Sequence, residues 1–100
     1  MLNINQEKNG SVLIIGLEGR LDTTTAPQLE ESVNSNLAGV TELCFDMAKL
    51  EYISSAGLRV LLSAQKKMNA QGKMILKNVS EEVVEVFEVT GFTDILTIEK

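Results

Sequence analysis

Three short runs of this chain are almost wholly apolar: Val12 to Leu17, Leu43 to Met47 and Met74 to Leu76. Their β-branched and bulky residues predict core strands, and the unbroken Val12 to Leu17 run predicts a strand buried on both faces. Between the runs the spacing lengthens. Leu29, Val33 and Leu37 recur every four residues, which predicts an amphipathic helix. Pro27 sits in its first turn, Thr24 or Thr25 is a candidate cap, and Gly39 is its stop. Leu58, Leu61, Leu62 and Met68 mark a central helix that ends by Gly72. Val83, Val84 and Phe87 mark a third, capped by Ser80 and closed by Gly91, with Glu81 and Glu82 in the first turn where the helix dipole favours anions. Asn3 to Lys8 alternates weakly, as an edge strand does, and Asn9-Gly10 reads as a tight hairpin. Ala48 to Ser54 is expected as a loop, and Ile95 to Ile98 as a short last strand. The order β-β-α-β-α-β-α-β belongs to the α/β class, with a mixed four- to five-stranded sheet packed with helices in one domain over residues 1–100.

A chain of 100 residues buries enough surface for a core without staples. Cys44 is alone and lies in an apolar run, so it is expected as a small buried hydrophobe, and a reducing cytoplasm suits it. The start is polar after Leu2 and has no basic run, so no secretory leader is expected. The longest apolar stretch falls far short of the ~18 residues of a membrane span, so no membrane partner is expected. The net charge of −5, with only Lys66-Lys67 adjacent among the basic residues, argues against nucleic acid.

The missing histidine excludes Ser-His triads and histidine-bearing metal sites. Gln71-Gly72-Lys73 lacks the first glycine of a phosphate-cradling loop and precedes a strand, so no nucleotide cofactor is expected. Glu81, Glu82, Glu85 and Glu88 fit a solvated helix face better than a metal site. Asp22 and Asp46 lie at or near strand ends, where α/β sheets dock ligands and partners. Loop chemistry is the favoured reading of both: Asp22 turned toward Thr24, Asp46 bonded into the loop toward Ser54.

The run Tyr52-Ile53-Ser54-Ser55-Ala56-Gly57-Leu58 carries the most chemistry. Two adjacent hydroxyls stand where the central helix begins, beside unpaired backbone N–H groups and the positive end of the dipole. Such a hydroxyl can cap the helix, and it can also carry a phosphate in a favourable field. Gly57 in the first turn costs about 1 kcal/mol against alanine, so it needs a reason. Tight packing on the sheet is one, and clearance for a partner's backbone is the other.

These residues resemble the anti-sigma factor antagonists, the small bacterial proteins that define the STAS domain. The landmarks are Gly19-Arg20-Leu21-Asp22, Phe45-Asp46-Met47, Ser54-Ser55-Ala56-Gly57-Leu58 and Thr90-Gly91-Phe92, and the resemblance covers essentially the whole chain. The family pattern at the central helix is similar to Asp-Ser-Ser/Thr-Gly-Leu, with its first hydroxyl phosphorylated. Anchored on Gly57-Leu58, that acceptor is Ser55, with Ser54 as the runner-up standing where the family has aspartate. The resemblance implies a switch without catalysis of its own. The unphosphorylated form binds an anti-sigma factor, itself an ATP-dependent serine kinase, and releases a sigma factor. Phosphorylation ends the binding, and a PP2C-type phosphatase restores it. Asp22, Thr23, Ser54, Ser55, Gly57 and Arg59 are the partner-binding residues it implies. STAS domains also serve as scaffolds or accessory subunits of transport and stress-signalling complexes, which is the alternative.

Overall fold

The computed structural model describes residues 1–99. Its strands are β1 (Leu2–Asn9), β2 (Val12–Leu21), β3 (Glu42–Ile53) and β4 (Lys73–Lys77), interleaved with helices α1 (Ala26–Asn36), α2 (Ser55–Asn69) and α3 (Glu81–Thr90). The sheet order is β1-β2-β3-β4. β1 and β2 form an antiparallel hairpin, while β2/β3 and β3/β4 are parallel. Both parallel crossovers advance the same way across the sheet, so their usual right-handed sense puts α1 and α2 on one face. No described helix is long and apolar enough to cross a membrane.

Burial follows from that one-sided cover. Leu13, Ile15 and Leu17 of β2 and Leu43, Phe45 and Met47 of β3 are sealed under the helices. Val12, Ile14 and Gly16, pointing the other way, are only half-buried. The expectation that Val12 to Leu17 is buried on both faces is therefore corrected: an apolar run in a parallel sheet does not guarantee a second layer. Cys44 is buried on the uncovered face, in register with Ile14 and Ile75, and burial pushes its thiol pKa up.

Two further expectations change. Ala48 to Ile53 is strand, not loop. β3 carries extra residues against β2: Gly16 faces Asp46 but Glu18 faces Lys49, and Gly19 faces Leu50 but Arg20 faces Tyr52. Those bulges stretch the burial interval to three, through Met47, Leu50 and Ile53, and so hide the period of two. Ile95 to Ile98 forms no strand. A 3₁₀ turn occupies Phe92–Asp94, and Ile98 makes a single bridge to Leu76, leaving a four-stranded sheet. Asp46 is bonded into the segment that leads toward Ser54, as expected: its Oδ1 accepts from the Ala48 amide (3.1 Å), and also from Asn78 Nδ2 (3.1 Å).

The helix ends fit their residues. α3 starts with Ser80 Oγ accepting from the Val83 amide (3.3 Å) and stops at Gly91, whose φ of 79° is the left-handed conformation glycine tolerates best. α1 begins after Thr25, whose side chain makes no cap bond to the helix. Its Oγ1 instead donates to the Arg20 carbonyl (2.8 Å) and accepts from the Asp22 amide (2.8 Å). α2 ends at Asn69, ahead of Gly72.

Candidate functional site

β2 and β3 end together, with Leu21 in register with Ile53, and each feeds a helix. The N-termini of α1 and α2 are thus side by side at the carboxyl edge of the sheet, the edge where α/β folds place recognition. The Ser54 amide donates to the Leu21 carbonyl (2.9 Å), which ties the start of α2 to the end of β2.

Gly57 completes the join. A Cβ there would lie 2.6 Å from Leu21 Cγ, 2.9 Å from Leu21 Cδ2 and 3.0 Å from Ile53 Cγ1. Of the two reasons for a glycine here, close packing of the helix on the sheet is the one the geometry supplies. Gly57→Ala gains about 1 kcal/mol of helix propensity but must displace two core side chains, at about 1–3 kcal/mol. We expect a net loss of about 1 kcal/mol by urea unfolding, and a variant more stable than wild type would contradict this packing.

The two hydroxyls meet opposite environments. Ser54 is the N-cap, extended at φ −103° and ψ 176°, yet its side chain makes no cap hydrogen bond. Its Oγ is buried and, among the described residues, has no hydrogen-bond partner; an oxygen left so costs about 1–3 kcal/mol. Ser55 is the first helical residue and is exposed. The first backbone bond of the helix runs from the Leu58 amide to the Ser54 carbonyl (3.0 Å). The N–H groups before it have no side-chain cap and offer partial positive charge beside Ser55.

Asp22 organises the adjoining turn. Its Oδ1 accepts from the Thr24 amide (3.0 Å), Thr24 Oγ1 (2.7 Å) and the Thr25 amide (3.2 Å). The Thr24 hydroxyl is the main reason its carboxyl titrates below the usual 3.8. A depressed carboxyl pKa stabilises the turn above the unfolded value and loses that effect as pH falls through the folded one. Titration by NMR should therefore give Asp22 a midpoint below 3.8, and Thr24→Ala should raise it. An unchanged midpoint would dismiss the threonine as the cause.

Arg20, just before Asp22, lays its guanidinium over the Tyr52 ring at 4.3 Å and stands 3.9 Å from Asp22 Oδ2. The parallel register that pairs Arg20 with Tyr52 brings them together. Sequence reasoning quoted both residues in motifs but did not join them, since only the bulged pairing does so. Thr23 and Arg59 border a cleft of about 190 Å³ between α1 and α2, along with Pro27, Glu30, Ala56 and Val60. Thr23 and Arg59 are both exposed, and Glu30 is the cleft residue that the sequence reading missed. A larger groove of about 470 Å³ lies over β1–β3, lined by Asn5, Gly16 and Asp46 among others, and contains none of these site residues.

The surface therefore gathers Asp22, Thr23, Ser54, Ser55, Gly57 and Arg59 at one edge, with Ser55 and Arg59 outward and Gly57 inward. It has an accessible hydroxyl, uncapped helix amides and two arginines. It can accept a covalent anion and present it to a protein surface.

Comparison with known proteins bears on the family and the fold. The model of the STAS domain matches residues 3–100. BtrV of Bordetella bronchiseptica, a candidate anti-sigma factor antagonist, is 34% identical over 99 residues, covering 97% of this chain and 85% of the relative. The anti-sigma-B factor antagonist of Bacillus subtilis is 28% identical over 98 residues, covering 97% and 90%. Among solved structures, the Bacillus cell fate determinant SpoIIAA in its phosphorylated form superposes with a TM-score of 0.77 at 22% identity, covering 98% of this chain and 92% of that one.

Proposed function

The chain belongs to the STAS domain family, and on that premise we propose that it is an anti-sigma factor antagonist switched by phosphorylation of Ser55. The unphosphorylated protein binds an anti-sigma factor that is also a serine kinase, and so frees a sigma factor. In the reverse step Ser55 Oγ attacks the γ-phosphorus of ATP in that partner, ADP leaves, and the serine proton passes to a base of the kinase. A PP2C-type phosphatase hydrolyses the ester. The chain itself performs no catalysis and acts in the cytoplasm.

One observation carries the choice of residue: Ser55 is exposed on the first turn of α2, whereas the Ser54 oxygen is buried. A kinase must reach the nucleophilic oxygen, and only Ser55 offers it without the helix start being remodelled. The names of the relatives, and the phosphorylated state of SpoIIAA, support the same switch.

The energetics fit as well. Phosphoserine adds nearly two negative charges and strong acceptor oxygens, and at a helix N-terminus these meet the positive end of the dipole. The fold of the antagonist is thereby left intact. The docking surface is not, because an anion enclosed there without a partner opposes association. Incubation with ATP and the cognate kinase, followed by intact mass, should show one phosphate on wild type and Ser54→Ala and none on Ser55→Ala. Labelling lost in Ser54→Ala alone would reassign the acceptor. No labelling of wild type would leave the scaffold role of the same fold.

A further inference from the structure

We propose that Arg59 clamps the phosphate of Ser55 on the antagonist's own helix, so that modification both adds an anion and withdraws a cation from the docking surface. This inference rests on Ser55 being the residue that carries phosphate. Both residues are exposed on α2, four positions apart, and thus lie on the same face one turn from each other. Side chains on a helix lean toward its N-terminus, so a phosphate on Ser55 lies within the range that the Arg59 side chain can sweep. The order, acid before base at this spacing, is the favourable one for an ion pair. A guanidinium also matches a phosphate with two parallel N–H donors, which ammonium cannot do.

The cation is free to take this role. Among the described residues no carboxylate lies within ion-pair distance of Arg59: the two recorded pairs are Arg20 with Asp22 and Lys73 with Glu42. The charged residue that shares the cleft with Arg59 is Glu30, on α1. Glu30 is the competitor, a single charge on another element. A phosphate on Ser55 carries about two charges and is tethered to the same turn.

In the unmodified protein Arg59 faces the partner beside Ser55 and supplies positive charge at the cleft. In the phosphorylated protein its donors are turned onto the antagonist's own phosphate. The two states thus differ at two partner-facing positions and not one.

The test needs neither kinase nor anti-sigma factor. Phosphoserine is placed at position 55 during synthesis of the full chain, in wild type, Arg59→Gln and Arg59→Lys. The second ionisation of the phosphate, ordinarily near pH ~6, is followed by phosphorus NMR. A nearby cation favours the dianion, so the wild-type midpoint should lie about half a unit below that of Arg59→Gln, with Arg59→Lys between them. The rise in melting temperature on phosphorylation should also be larger in wild type, by about 3 °C. Equal midpoints and equal thermal gains in wild type and Arg59→Gln would overturn the clamp. Because the phosphate is installed without the kinase, a failure of kinase labelling and a failure of the clamp are separate results.

Discussion

Ser55→Asp is expected to bind the anti-sigma factor about a hundredfold more weakly than wild type while melting within a degree or two of it. The weakening is the cost of enclosing an unpaired carboxylate at the interface, for which about 3 kcal/mol is modest, and ~1.4 kcal/mol per decade turns that into two decades of affinity. The small thermal effect has a separate cause. Position 55 is exposed and lies on the first turn of α2, so the new side chain displaces nothing and its charge is welcomed by the dipole. Ser55→Ala should bind as wild type does, because among the described residues the exposed hydroxyl makes no hydrogen bond that the fold would miss. Titration calorimetry with the purified anti-sigma factor measures the first effect, and a thermal scan the second. Equal binding by Ser55→Asp and wild type would remove the electrostatic veto. A large fall in melting temperature would mean that the switch works by deforming the antagonist instead.

Gly72→Ala is expected to cost about 3 kcal/mol, because the added methyl group meets backbone. A Cβ at Gly72 would stand 1.8 Å from the Thr41 carbonyl oxygen and 2.6 Å from its carbonyl carbon. Thr41 cannot retreat easily. Its amide donates to the Ser11 carbonyl (2.8 Å), and its own carbonyl accepts from the Lys73 amide (2.9 Å), so it is held between the β1–β2 hairpin and the start of β4. A methyl group there has to part backbone from backbone, and β4 would lose the bond that starts its register. Gly39→Ala is the control: its φ of 77° strains an L-residue, but open space surrounds it, so about 1 kcal/mol is expected. At roughly 4–8 °C per kcal/mol for a domain of this size, Gly72→Ala should melt more than ten degrees lower. A shift of only a few degrees would show that the junction yields and that the close approach is not needed.

Both substitutions bear on what could be seen in advance. The helices were legible because each keeps an uninterrupted period: Leu29 and Val33 in α1, Leu58, Leu61 and Met68 in α2, Val83 and Phe87 in α3 are all buried. Ser80 and Gly91 were legible as helix ends because capping chemistry is local. β3 was legible only as far as Met47. Beyond it, bulges at successive positions replace alternation with a spacing that no strand template contains, and the residues read as loop. The supposed last strand failed for the opposite reason. Ile95 to Ile98 has the right composition, yet Phe92–Asp94 coils first and only Ile98 reaches β4.

At the candidate site the division is similar. The chain order brings Asp22 to the start of one helix and Ser54-Ser55 to the start of another, and both positions could be read without coordinates. The stacking of Arg20 on Tyr52 could not, because it depends on the bulged register between parallel strands. Nor could Glu30, which enters the cleft only because α1 and α2 lie side by side.

The amino-acid sequence on its own determined the class of fold, the order of its elements as far as α3 and the presence of adjacent hydroxyls at a helix start, since periodicity, caps and motifs are properties of short segments. Tertiary structure decided which hydroxyl meets solvent, why residue 57 is glycine and what surrounds the helix start. Those depend on how closely α2 lies against Leu21, and so on contacts between segments more than thirty residues apart in the chain.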